Sequence, residues 1–111
     1  QQTLDYFDDV VEYAAKSTGG DGAAYTDEYL RLFMLPGVGH CRGGVGPDQV
    51  DWMAALAGWV EKGTKPASVT ATATRDGKVA MTRPLCPHPQ VARYTGRGDT
   101  NVAASFECAM P

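Results

Sequence analysis

The sequence predicts an α/β fold: a strand of parallel-sheet type, a histidine-bearing loop and a helix, then a β-hairpin and an irregular, disulfide-stapled tail. Three observations carry this expectation. Residues 29–35 (Tyr-Leu-Arg-Leu-Phe-Met-Leu) form a nearly continuous apolar run closed by Pro36-Gly37, the pattern of a strand buried on both faces. A glycine-rich stretch from Gly37 to Gly46, holding His40 and Cys41, separates that run from a helical pattern. Residues 69–83 alternate on either side of Asp76-Gly77, the dipeptide of a type I′ turn. The other reading of 29–35 is a core helix segment, because periodicity alone does not separate a short buried strand from one.

Each element has a local reason. Residues 4–16 read as an amphipathic helix: Leu4, Phe7, Val11 and Ala14/Ala15 recur at helical spacing. Asp5, Asp8 and Asp9 load its N-terminal end, where the helix dipole favours anions. Thr3 is the expected N-cap, and Gly19-Gly20 the stop. A second helix is expected from about Gln49 to Lys62, capped by Asp48 and ended by Gly63. Val50, Met53, Leu56 and Val60 form its core stripe, and Trp52 and Trp59 share one side for burial against the sheet. The hairpin alternates threonine with small apolar residues, which suits strands half exposed at the end of a sheet. From Pro84 to Pro111 the chain reads as mostly irregular, with a weak helical signal around residues 100–105.

Composition excludes several functions. Ten Lys and Arg against thirteen Asp and Glu give a net charge of −3, with neither sign clustered, so nothing points to nucleic acid or an anionic membrane. No apolar run approaches the roughly 20 residues of a membrane span. The three cysteines, Cys41, Cys86 and Cys108, are an odd number, which leaves a free thiol or a bond to something outside the chain. None stands in a CxxC pair, and with only His40 and His88 beside them a four-ligand zinc site is hard to assemble. Cys86 and Cys108 lie in the Pro- and Gly-rich tail, where a disulfide between them is expected; that use of cysteine points to an oxidising compartment.

The segments Arg31-Leu-Phe-Met-Leu-Pro-Gly-Val-Gly-His-Cys41, Asp51-Trp-Met-Ala-Ala-Leu56, Arg83-Pro-Leu-Cys-Pro-His-Pro-Gln-Val-Ala-Arg-Tyr94 and Gly98-Asp-Thr-Asn101 resemble, in order and spacing, the C-terminal part of the tannase and feruloyl esterase family. The resemblance runs from Thr3 to Cys108 and treats residues 1–111 as one segment of an α/β-hydrolase catalytic domain. It implies that His40 is the base of a Ser–Asp–His triad that hydrolyses aromatic or phenolic esters. It also implies that Cys41 is bonded to a cysteine beside the serine, upstream and outside this chain. Such a bridge would hold nucleophile and base within reach of one another.

The sequence departs from the family pattern in what it lacks. Ser17, Ser68 and Ser105 are its only serines, and none stands in a Gly-x-Ser-x-Gly turn. The resemblance begins just after the triad acid, so the Ser elbow, the Asp and the lid lie outside it. The implied partner is therefore the N-terminal portion of the same enzyme, joined through Cys41, and the isolated chain is expected to be inactive and to fold poorly alone. No cofactor is expected, since the family's calcium site belongs to the lid. The implied location is secreted or periplasmic. Asp48 and Asp51 read as helix caps rather than metal ligands, Arg42 as an exposed charge, and His88, between Pro87 and Pro89, as a surface residue. A different class of reading stands beside this one: a non-catalytic secreted structural or assembly module that keeps only the scaffold.

Overall fold

The computed structural model describes residues 2–111, which form two compact units, one ending at Leu32 and one spanning Phe33–Pro111. The first is an α-helical pair. Helix α1 (Gln2–Thr18) turns Leu4, Phe7, Val10, Val11 and Ala14 inward and leaves its acidic residues exposed. It starts before Thr3, which lies inside the helix rather than capping it. Gly19, at φ 67°, ends it and donates its N–H to the Ala15 carbonyl at 2.9 Å. Helix α2 (Gly22–Thr26) is too short for periodicity to reveal; Asp21 caps it by accepting from the Ala24 N–H at 3.0 Å. A side chain at Gly22 would strike the Val11 carbonyl and Ala15, so only glycine lets these two helices approach this closely.

The second unit holds two antiparallel sheets. Strands β1 (Gln49–Val50), β2 (Val69–Arg75) and β3 (Lys78–Leu85) lie in the order β1-β2-β3. Strands β4 (Val91–Tyr94) and β5 (Phe106–Ala109) pair separately. The turn between β2 and β3 is Asp76-Gly77, at φ 51° and 73°, the signs a type I′ turn requires. A register shift between Ala73 and Thr74 interrupts the ladder. Alternation along β2 buries Val69, Ala71 and Ala73 on one face, with Leu85 and Cys86 completing the core.

Several expectations are corrected. The run 29–35 is not a strand buried on both faces: within it only Phe33 makes a bridge, antiparallel, to Pro87. A doubly buried strand needs ladder partners along both edges, and proline has no N–H to extend one. Tyr29 and Met34 accordingly stay exposed. No strands among the described residues pair in parallel; both sheets are antiparallel.

The second helix, α3, runs Trp52–Lys62 rather than from Gln49, because Gln49 and Val50 pair with Thr72 and Ala71. Asp51, not Asp48, is its cap, accepting from the Ala54 N–H at 2.9 Å, and Gly63 closes it in the left-handed region. Its expected core stripe is outward: Met53, Leu56 and Val60 are exposed, and no α3 residue is buried. The small side of the helix, at Ala54, Ala55 and Gly58, borders a cleft with Val69 and Thr70 at the start of β2. Trp52 is exposed, with its ring centroid 5.8 Å from that of Phe33, while Trp59 is half-buried.

Nor is the tail irregular. Beyond β4 and β5 it holds a single 3₁₀ turn at Ala103–Ser105, where the weak helical signal lies. Tail and hairpin are knitted together: the Thr82 N–H donates to the Asn101 carbonyl, the Thr82 hydroxyl accepts from the Ala103 N–H, and Arg83 donates to the Thr100 carbonyl, each at 2.8 Å. The Arg83 guanidinium also stacks 3.9 Å from the Phe106 ring centre. A Cys86–Cys108 disulfide, with Cα atoms 5.6 Å apart, ties the end of β3 to β5.

Candidate functional site

The loop from Gly37 to Gly46 carries both residues singled out by the sequence as chemistry-bearing, His40 and Cys41. It is a closed ring of backbone. The Gly46 N–H donates to the Gly37 carbonyl at 2.9 Å, Val38 and Gly44 form an antiparallel bridge, and the Gly39 N–H donates to Gly43 at 2.7 Å. Gly44 sits at φ 103°, so near Gly37 that any side chain would strike its carbonyl oxygen. These constraints leave His40, Cys41 and Arg42 at the tip, all exposed.

Cys41 lies in the left-handed region at φ 71°, uncommon for a residue with a side chain, and this turns its sulfur back toward the preceding ring. The Cys41 Sγ to His40 Nδ1 distance is 3.1 Å. Which of the two donates in that contact depends on the imidazole tautomer. Cys41 is an exposed free thiol among the described residues, while Cys86 and Cys108 bond to each other. The loop therefore brings together His40 and Cys41, and the tail disulfide stands apart from them in the chain.

Asp48 does what the sequence did not suggest. Instead of capping α3, its carboxylate accepts from the Gly43 N–H at 2.7 Å, a brace across the base of the histidine loop. Both aspartates are capping types; the one three residues ahead of a free helical N–H takes the cap, which frees the other. Beneath the loop's two ends, Pro36 and Pro47 border an apolar cavity of about 340 Å³ whose walls include Leu85, Val91 and Phe106. His40 is not on its wall. His88 is half-buried rather than on the surface, since Pro87 pairs with Phe33 and its carbonyl accepts from the Gln90 N–H at 3.0 Å. No three His, Cys, Asp or Glu residues cluster to hold a metal among the described residues, and no helix there is long and apolar enough to cross a membrane.

The family described as tannase and feruloyl esterase matches residues 1–109. A mono(2-hydroxyethyl) terephthalate hydrolase of Piscinibacter sakaiensis is 49% identical over 86 residues, covering 75% of this chain and 14% of its own length. A probable feruloyl esterase of Arthroderma benhamiae is 49% identical over 92 residues, covering 79% of this chain and 17% of its own. The crystal structure of feruloyl esterase B from Aspergillus oryzae covers 88% of the chain and 22% of its own with a TM-score of 0.74, at 23% identity, a likeness of fold. The chain thus spans less than a fifth of the length of these two curated relatives.

Proposed function

The chain belongs to the tannase and feruloyl esterase family, whose relatives are named as ester hydrolases, and on that premise we propose that it supplies the general-base histidine, His40, of a carboxylic ester hydrolase. The observation that supports this most directly is the exposed imidazole at the tip of a loop closed by its own backbone, with Cys41 beside it. In this reading Nε2 takes the proton of a serine hydroxyl as its oxygen attacks the ester carbonyl. The same proton then goes to the departing alcohol, and the cycle repeats with water to release the acid. The serine and the aspartate that orients the ring at Nδ1 come from an upstream portion, and Cys41 forms a disulfide with the cysteine beside that serine. No cofactor is assigned to these residues.

The substrate class is an aromatic or phenolic ester, following the feruloyl and terephthalate esters in the relatives' names. An oxidising location, secreted or periplasmic, fits the Cys86–Cys108 bond. The chain alone is inactive in this reading, because a base with no nucleophile in reach has nothing to activate.

The test compares hydrolysis of methyl ferulate by the 111-residue chain and by the chain joined to a Ser- and Asp-bearing upstream portion. Turnover is expected only in the joined protein and is expected to vanish in His40→Ala. Turnover by the joined protein that survives His40→Ala would remove the assignment.

A further inference from the structure

Resting on that assignment of His40, we propose that Asp48 is a positioning residue that holds the histidine loop in register with the sheet. The loop holds five glycines, Gly37, Gly39, Gly43, Gly44 and Gly46, so its backbone has more freedom to lose than any other stretch of this length. The Gly37–Gly46 and Gly39–Gly43 hydrogen bonds and the Val38–Gly44 bridge give the loop its shape, but they join it only to itself. Outside the ring, the Val38 N–H donates to the Leu35 carbonyl at 3.4 Å, a tie near one end about which the His40 tip can still swing. The Asp48 carboxylate reaches from outside the ring to the Gly43 N–H, three residues past His40, at 2.7 Å.

What lies next in the chain gives that bond its leverage. Asp48 is followed at once by β1, whose Gln49 and Val50 are in register with Thr72 and Ala71 of β2. Gln49 is held further by its side chain, which accepts from the Thr74 hydroxyl at 3.0 Å. The hydrogen bond thus runs from the histidine side of the loop to the root of a paired strand. Its acceptor is a carboxylate, which makes it stronger than a bond between neutral groups. Helix capping makes no competing claim, because Asp51 performs it.

The Asp48 carboxylate accepts from the Gly43 backbone N–H rather than from the His40 ring, so its effect passes through the backbone. Near-attack geometry is sensitive to displacement on the scale of 1 Å, and a base allowed to wander loses rate rather than affinity.

The experiment uses the joined esterase with 4-nitrophenyl acetate as the probe. Asp48→Ala is expected to lower kcat by about ten- to a hundredfold with KM little changed. Asp48→Asn keeps an oxygen that accepts from the Gly43 N–H, and is expected to recover most of that loss. Unchanged kcat in Asp48→Ala, a change confined to KM, or an equal loss in both variants would overturn the proposal. His40→Ala, run alongside, separates the two assignments. If it abolishes turnover while Asp48→Ala leaves kcat unchanged, only the role of Asp48 falls; if it leaves turnover intact, the base assignment falls and this proposal with it. Should Asp48→Ala fail to fold, hydrogen exchange at the Gly43 amide decides: protection in wild type and in Asp48→Asn supports the brace, and free exchange in wild type overturns it.

Discussion

At Gly44 two requirements coincide: a φ of 103° that side chains rarely adopt, and a close approach to the Gly37 carbonyl that a side chain would block. Gly43, one residue earlier, also has a positive φ, 76°, but open space where a Cβ would stand. The pair is therefore a controlled comparison. Gly43→Ala should cost only the conformational penalty, about 1 kcal/mol, whereas Gly44→Ala should cost about 2–3 kcal/mol and open the loop. Urea midpoints of the two variants check the order, and equal midpoints would refute the collision. At this scale the sequence was legible where local chemistry has one solution, as at Gly19 and Gly63. It misplaced the cap at Asp48 instead of Asp51, because both are good caps and only the pairing of Gln49 and Val50 moves the helix start past Asp48. His40 stood out through the spacing of the motifs around it, since a histidine between glycines has no single meaning.

At the scale of elements, helix α1 carries a Glu12–Lys16 ion pair one turn apart. The Lys16 hydrogen bond and charge hold the Glu12 carboxyl below its ordinary value. A carboxyl depressed in the folded state contributes stability that is present above its unfolded value and lost as pH falls through the folded one. Helicity of α1, followed by circular dichroism, should therefore weaken on acidification through the lower carboxylate range, and Glu12→Gln should remove that component. Because both side chains are largely exposed, the effect should be small and should fade in high salt.

Among the strands, β2 and β3 could be read from sequence because a two-residue turn fixes their register locally. The pairing of β4 with β5 could not. Their partners, Val91 with Ala109 through Tyr94 with Phe106, are joined by a loop too long to announce itself, and Arg93 faces Glu107 across the ladder instead of an alternating apolar neighbour. The run 29–35 misled for a related reason: apolar content states that a segment will be covered, not which neighbour covers it.

For the molecule as a whole, the long-range order of the Phe33–Pro111 unit depends on contacts far apart in the chain, with the Cys86–Cys108 bond the covalent one among them. Closing a loop of 22 residues removes chain entropy from the unfolded state worth about 3 kcal/mol. The double variant Cys86→Ala/Cys108→Ala should lose about that much in urea unfolding, and a loss well under 1 kcal/mol would show that the Arg83, Thr82 and Phe106 contacts hold the tail unaided. The same bond has a consequence for fragmentation. Arg97 lies on an exposed turn between the two cysteines. A single tryptic cut there would release nothing: the nicked chain would run as one species heavier by one water, and would part into two pieces only once a reductant is added.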